Sequence, residues 1–189
     1  NESPLLKIQT TGSQRSIQGF MNDTQGEFWQ FYADELQPDA DYELTIQDTN
    51  GNSLCEPWPL KTFPSSQQNP ERVRVLFYTC AGGPEGEYFG VGDRRGNLPI
   101  AIRQRLLKRG LSFAPQAAVA NGDHIYWDLH TWQGDRAGEL SPAGQESDFD
   151  FSSRVMGGSN ELAMKLAAGP QIAPLYGTAF RSTPVFFLQ

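Results

Sequence analysis

The stretch from Val73 to Ala120 constrains the fold more than any other, because a strand pattern, a helix pattern and a second strand pattern follow one another along it. Val73 to Tyr78 is almost continuously apolar, which is typical of a strand covered on both faces. Pro99 to Arg109 follows with a helical pattern, and Gln116 to Ala120 is predicted to be the next strand. We expect these elements to form a βαβ unit whose strands are parallel neighbours or near-neighbours. Thr183 to Leu188 predicts a third buried strand.

Two helices are predicted in this part of the chain. The first is Pro99 to Arg109, which carries a proline in its first turn and ends at Gly110. Its expected buried stripe consists of Ile102, Leu106 and Leu107. The second begins at Ser159 or Asn160, because both residue types cap helices well, and it ends at Gly169-Pro170.

Side chains of metal-ligand type stand where the first two strands end. Cys80 follows the first strand, and Asn121-Gly122-Asp123 follows the second, with Tyr126 shortly after it. Parallel neighbours bring their carboxyl ends to one edge of the sheet, where ligands bind in open α/β folds. A thiolate, a carboxylate and a phenol are therefore expected side by side. Taken singly, Cys80 also fits a small buried hydrophobe, Asp123 a cap and Tyr126 a packing residue.

The first part of the chain is predicted to be all β. Phe28 to Tyr32 is a short aromatic strand, and Tyr42 to Ile46 alternates with period two. Leu36 to Tyr42 fits the L-x-P-x-x-x-Y pattern of the tyrosine corner, in which the phenol bonds back to the chain in fibronectin type III domains and related sandwiches. The predicted domains are residues 1–64 as a β-sandwich, 65–71 as a polar linker and 72–189 as the α/β part.

The composition excludes several classes of function. A net charge of -7 argues against binding of nucleic acid, which is bound by clustered Lys and Arg. The sequence contains no apolar run long enough to span a membrane. Two cysteines, Cys55 and Cys80, are too few for a disulfide scaffold, and a bridge between them is not favoured.

The two strand ends resemble a known family. Phe77-Tyr78-Thr79-Cys80, followed later by Asn121 to Tyr126, is similar to the PhoD-like alkaline phosphatases and phosphodiesterases of the calcineurin-like metallophosphoesterase superfamily. That branch resembles this sequence in having a Cys after the first strand and G-D-x-I-Y after the second. Trp58 to Pro64 is similar to the last strand of its N-terminal domain. The resemblance implies a fibronectin III-like sandwich followed by the first part of an α/β (α+β) metallophosphoesterase domain.

The resemblance also implies a metal site and an activity. Cys80, Asp123 and Tyr126 would hold one Fe3+, and Asp123 would bridge to a second divalent metal, either Ca2+, Zn2+ or Mn2+. His124 is a candidate for substrate binding, with a surface or hydrogen-bonding role as the alternative. The implied activity is hydrolysis of small phosphomonoesters or phosphodiesters by a hydroxide that bridges the two metals. A periplasmic or secreted location is implied as well.

The sequence departs from the family where the second metal would be bound. The later His-containing motifs are absent, and His124 and His130 do not match them. We therefore expect the chain to be the N-terminal portion of a longer enzyme, inactive without the remainder of the catalytic domain. The alternative is a non-catalytic extracellular binding module with a degenerate metallophosphoesterase-like domain. A cysteine-phosphatase loop is not supported, because Gly86 stands where its arginine is needed.

Overall fold

The computed structural model divides the chain into two compact units. The first comprises Asn1–Val73 and Arg181–Thr183, and the second Arg74–Phe180 and Pro184–Gln189. The structure describes residues 2–82, 98–125, 150, 152–177 and 179–188. Within these residues, no helix is both long and apolar enough to cross a membrane.

The first unit is built from short antiparallel strands. One sheet has the order β2-β1-β5-β6, and β3 pairs with β4 in a separate two-stranded ribbon. The strands are β1 (Leu5–Thr10), β2 (Ser13–Gln18), β3 (Phe20–Met21), β4 (Trp29–Gln30), β5 (Asp41–Gln47) and β6 (Trp58–Lys61). The aromatic strand predicted over Phe28 to Tyr32 is thus only two residues long, while the strand predicted at Tyr42 to Ile46 is present as β5.

Alternating apolar residues form the core of the first unit. Leu6 and Ile8 of β1 lie in register with Ile46 and Leu44 of β5, and the buried members of this cluster include Tyr42. The Tyr42 phenol oxygen accepts a hydrogen bond of 2.8 Å from the backbone N–H of Gln37. This is the bond that the tyrosine-corner pattern predicts. The fibronectin III-like arrangement of the whole unit stays a prediction.

The second unit contains a parallel sheet with the order β7-β8-β9. Its elements are β7 (Val75–Tyr78), α1 (Ile100–Leu111), β8 (Ala117–Asn121), α2 (Ser159–Tyr176) and β9 (Val185–Leu188). Strand β8 pairs in parallel with β7 on one side and with β9 on the other. The predicted βαβ unit is confirmed, because β7 and β8 are direct parallel neighbours joined through α1.

Among the residues that the structure describes, apolar packing covers one face of this sheet much better than the other. Leu76 of β7 packs into a core with Leu107 of α1 and Leu175 of α2. On the other face, Phe77 is 69% exposed and Phe186 of β9 is 51% exposed. These two rings lie in register on either side of Val119. The prediction of a strand covered on both faces is therefore wrong for β7, because residues of opposite parity point away from the helices.

The buried face of α1 differs from the predicted stripe. Leu107 is buried as expected, but Leu106 is exposed, and the other buried residue of the helix is Arg103. Positions 103 and 107 lie one turn apart and therefore share a face. The predicted terminator, Gly110, lies inside the helix, where its missing side chain leaves room for Leu76.

Helix α2 is longer than predicted. It continues through Gly169 and Pro170 to Tyr176, and the N–H of Gly177 bonds to the carbonyl of Ala173. A proline inside a helix removes one ladder hydrogen bond, yet the packing of Leu175 and Tyr176 in the core stabilises the last turns. The predicted side-chain cap is also wrong, because Gly158 is the N-cap residue and no side chain caps the helix.

Candidate metal centre

The parallel sheet delivers the loops of β7 and β8 to the same edge. Cys80 lies two residues past the end of β7, and Asp123 lies two residues past the end of β8. The last residue of the third strand lies beside the β8 loop there, since the N–H of Gly122 donates to the carbonyl of Leu188 at 3.1 Å. The structure therefore brings Cys80 and Asp123 together, which is where parallel strands place ligand-binding side chains.

Four hydrogen bonds join the first two loops. The Cys80 thiol donates to Oδ2 of Asp123 at 3.3 Å. The backbone N–H of Cys80 and the hydroxyl of Thr79 both donate to the carbonyl of Gly122, at 3.4 and 3.2 Å. The N–H of Gly82 donates to the carbonyl of Asp123 at 3.2 Å. The thiol and the carboxylate are thus held together by their backbones as well as by their own contact.

Both candidate ligands have a strained backbone. Cys80 has a φ of 53° and Asp123 a φ of 59°, in the left-handed region that non-glycine residues seldom adopt. Such conformations cost about 1 to 3 kcal/mol each and persist where the surrounding structure enforces them. In this conformation the two side chains meet at the sheet edge. Strained backbones of this kind are common at functional sites.

The separation of the two donor atoms fits a shared metal ion. With bond lengths typical of zinc, about 2.3 Å to sulfur and about 2.1 Å to oxygen, two neighbouring ligands lie about 3.1 Å apart at an octahedral angle and about 3.6 Å apart at a tetrahedral one. The observed Sγ to Oδ2 distance is 3.3 Å. A thiolate and a carboxylate are both ordinary ligands of transition metals. Cys80 and Asp123 therefore fit as two ligands of one ion.

The structure does not describe the third predicted metal ligand. Tyr126, the third predicted ligand, lies outside the described residues, as does His130. In the part of the chain that the structure describes, no group of three or more His, Cys, Asp or Glu side chains is arranged to hold a metal. The described centre is thus a pair of candidate ligands, and the assignment of all three residues to a metal site stays a prediction. Both Cys55 and Cys80 are free thiols.

His124 lies in the core beside this pair. The residue is 9% exposed, and its ring makes edge contacts with Tyr78 and Phe187. Its Nδ1 lies 3.3 Å from the Tyr176 hydroxyl, while Nε2 is buried without a hydrogen-bond partner among the described residues. The structure thus places His124 among aromatic rings, and its assignment to substrate binding stays a prediction.

The phenols around His124 are hard to ionise. Burial raises the pKa of Tyr78 above its ordinary value, and the neighbouring hydroxyl of Tyr176 raises it further. Burial also raises the pKa of Tyr176. Both phenols therefore stay neutral at physiological pH, and both pack against the His124 side chain, with the Tyr176 hydroxyl also hydrogen-bonded to its ring.

Two residues next to the candidate ligands were not anticipated from the sequence. Arg103 is 5% exposed, and its Nη1 donates to the carbonyls of Ala81 and Gly82, both at 2.8 Å. Gly82 packs so closely on the second loop that a Cβ there would lie 1.9 Å from the carbonyl oxygen of His124. The glycine pair after Cys80 was a signal for this close approach. The position of Arg103, one turn before Leu107, was a signal that its side chain faces the core.

Comparison with known proteins adds one weak similarity. No protein-family model matches the chain, and no curated protein matches it significantly. Among solved structures it is similar to purple acid phosphatase PPD1 from seeds of yellow lupin (Lupinus luteus), with a TM-score of 0.48 and 13% sequence identity. The match covers 98% of this chain but only 29% of the phosphatase. A similarity at this level decides neither the fold family nor the activity.

Proposed function

We propose that this chain carries part of the metal centre of a phosphoester hydrolase of the PhoD-like type. In this proposal Cys80 and Asp123 bind one Fe3+ together with Tyr126, and Asp123 bridges to a divalent ion such as Ca2+, Zn2+ or Mn2+. The substrates are small phosphomonoesters or phosphodiesters, and the enzyme is periplasmic or secreted. The wider proposal rests on the sequence resemblance, and the ligand pair rests on the geometry.

One observation carries the proposal. The Cys80 thiol and the Asp123 carboxylate come from different strands and still lie 3.3 Å apart, with both backbones in the left-handed region. If Cys80 or Asp123 had only a structural role, its side chain would not need to meet the other one, and its backbone would not need the left-handed conformation. A thiol paired with a carboxylate at the carboxyl edge of a parallel sheet is instead suited to a cation that both side chains approach once the thiol is deprotonated.

A bound metal ion would supply a nucleophilic hydroxide at neutral pH and stabilise charge on the phosphoryl oxygens. The chain itself contributes a rigid support for the ligands. The Gly122 carbonyl accepts from Thr79 and Cys80, so the β7 and β8 loops are joined independently of any ion. His124, directly after Asp123, stays the candidate for substrate contact in this proposal.

Metal binding is the first test. The purified protein is loaded with Fe3+, its metal content is measured by elemental analysis, and its absorption spectrum is recorded. We expect bound iron and a charge-transfer band from the thiolate. Cys80→Ser should remove the contribution of the thiolate to this band, whereas Cys55→Ser, the matched control, should leave it unchanged. An unchanged spectrum in Cys80→Ser would remove Cys80 from the ligand set.

Hydrolysis is the second test and uses p-nitrophenyl phosphate and bis(p-nitrophenyl) phosphate with the metal-loaded protein joined to its complete catalytic domain. Asp123→Asn should abolish iron binding and phosphodiester cleavage, because a neutral amide is a poor bridging ligand. Asp34→Asn, a change at an exposed carboxylate of the first unit, serves as the control. Undiminished cleavage by Asp123→Asn would contradict the assignment.

A binding module is the second candidate function, and one observation favours it. On the first unit, the rings of Phe20 and Tyr32 are stacked with centroids 5.0 Å apart, and both are exposed. Exposed aromatic surfaces of this kind often mark interaction sites. Two results together would support this alternative. The protein would bind no metal, and Tyr32→Ala would fail to bind a ligand that the wild-type protein binds.

A further inference from the structure

Arg103 is a buried cation that lies behind the loop of Cys80. It belongs to α1, and only 5% of the residue is exposed. Its Nη1 donates to two consecutive backbone carbonyls, those of Ala81 and Gly82, each at 2.8 Å. These are the two residues that follow Cys80 in the chain.

A buried arginine at this position needs an explanation beyond packing. Position 103 shares a helix face with Leu107, which lies in the apolar core, so a leucine would fit the pattern of the helix. Burying a guanidinium is expensive unless hydrogen bonds replace its hydration. Hydrogen bonds from a charged donor are about twice as strong as neutral ones, and two of those that Arg103 makes bind the backbone of one loop. Arg103 therefore fixes the course of that loop.

The loop held by Arg103 in turn holds the second loop. Gly82 donates its N–H to the carbonyl of Asp123 at 3.2 Å. Because Gly82 has no Cβ, its backbone lies directly against the backbone of His124 and Ile125. A continuous path of contacts thus runs from the guanidinium through Gly82 to Asp123.

We propose that Arg103 is a positioning residue that keeps Cys80 and Asp123 at ligand separation. It acts on the two side chains through the backbone of Ala81 and Gly82. The part of this proposal that concerns metal affinity rests on the proposed function above. The part that concerns the two loops does not, and it is tested separately.

The loop test uses amide hydrogen exchange in the metal-free protein. Arg103→Met keeps an unbranched side chain but removes the donors, and we expect exchange in peptides covering residues 79–82 and 122–125 to rise at least tenfold. Peptides from α2 should change much less. Arg105→Met, at an exposed position of the same helix, is the matched control and should leave both loops unchanged. A uniform rise over the whole second unit, or no rise in the two loops, would overturn the proposal.

Arg103→Lys distinguishes positioning from packing. An ammonium group can donate to the two carbonyls, so this variant should restore most of the protection that Arg103→Met loses. It also keeps the test available if Arg103→Met does not fold. Loop protection in Arg103→Lys that is as low as in a folded Arg103→Met, or at least tenfold below that of wild type where Arg103→Met does not fold, would show that the hydrogen bonds are not the cause.

The metal test uses Co2+ as the probe and follows the thiolate charge-transfer band during titration. Loss of a supporting contact around metal ligands typically weakens affinity by about 10 to 100-fold. We therefore expect at least tenfold weaker binding in Arg103→Met and unchanged binding in Arg105→Met. Equal affinity in wild type and Arg103→Met would overturn the positioning proposal and leave the proposed function intact. If wild-type protein binds no Co2+, the proposed function fails, and the exchange result still decides whether Arg103 holds the loops.

Discussion

Replacing Gly82 by alanine is the most direct test of how tightly the two candidate ligand loops are joined. A Cβ at this position would lie 1.9 Å from the carbonyl oxygen of His124 and 2.7 Å from the backbone N of Ile125. Real Cβ atoms essentially never approach other atoms closer than 3.0 Å, so the loops must separate by about 1.1 Å. The atoms in the way are backbone atoms, which cannot rotate aside as a side chain would.

The separation has a calculable consequence. The Gly82 N–H lies 3.2 Å from the carbonyl of Asp123, and a further shift of about 1.1 Å breaks this hydrogen bond. Losing the bond costs about 1 kcal/mol, and forcing extra volume into a packed site costs about 1 to 3 kcal/mol. We therefore expect Gly82→Ala to lower the free energy of unfolding by about 2 to 4 kcal/mol.

Urea denaturation followed by circular dichroism measures this change. Gly158→Ala is the control, because a Cβ there meets nothing within 4 Å, and it should lower the free energy of unfolding by less than about 1 kcal/mol. If Gly82→Ala unfolds at the same urea concentration as wild type, with the same slope, the close approach of the two loops is wrong. If it is destabilised only as much as Gly158→Ala, the steric argument is wrong.

Three further predictions concern other parts of the chain. Tyr42→Phe should destabilise the first unit by about 1 to 2 kcal/mol in urea unfolding, since the Gln37 N–H loses its partner, whereas the exposed Tyr32→Phe should have no effect. Asn160→Ala should lower the free energy of unfolding by about 3 kcal/mol, because its buried amide bonds the backbone of Asp150 at 2.7 and 2.8 Å; a loss below about 1 kcal/mol would contradict this reading. Burial raises the pKa of Tyr78 above its ordinary 10.0, so its neutral phenol contributes stability that is fully present below about pH 10 and is lost as the pH rises further. Unfolding measured between about pH 9 and pH 11 should show this decline, and Tyr78→Phe should reduce it.

The arrangement of the second unit was largely predictable from the sequence. Apolar runs of strand length separated by a helical pattern leave few topologies open, because crossover connections between parallel strands are almost always short and right-handed. For that reason the pairing of β7 with β8, and the meeting of Cys80 with Asp123, followed from the pattern alone. The Tyr42 hydrogen bond was equally predictable, because the tyrosine corner is a local motif.

What the sequence did not predict depends on contacts between distant residues. The burial of Arg103 was not anticipated, since arginine is seldom buried, and its hydrogen bonds to the loop carbonyls of Ala81 and Gly82 connect residues that are far apart in the sequence. The continuation of α2 beyond Gly169-Pro170 was also missed, because local propensity favours a break there. Packing of Leu175 and Tyr176 in the core outweighs that propensity.

The exposed face of the parallel sheet has a practical consequence for handling the protein. Phe77 and Phe186 present two aromatic rings to water in the same cross-strand row, and Leu188 extends this surface. Exposed apolar surfaces of this kind are an aggregation liability, so we expect the protein to self-associate at high concentration. Replacing Phe77 with Lys and Phe186 with Glu would place opposite charges on that row, and such a pair should raise the solubility limit while leaving the buried side of the sheet intact.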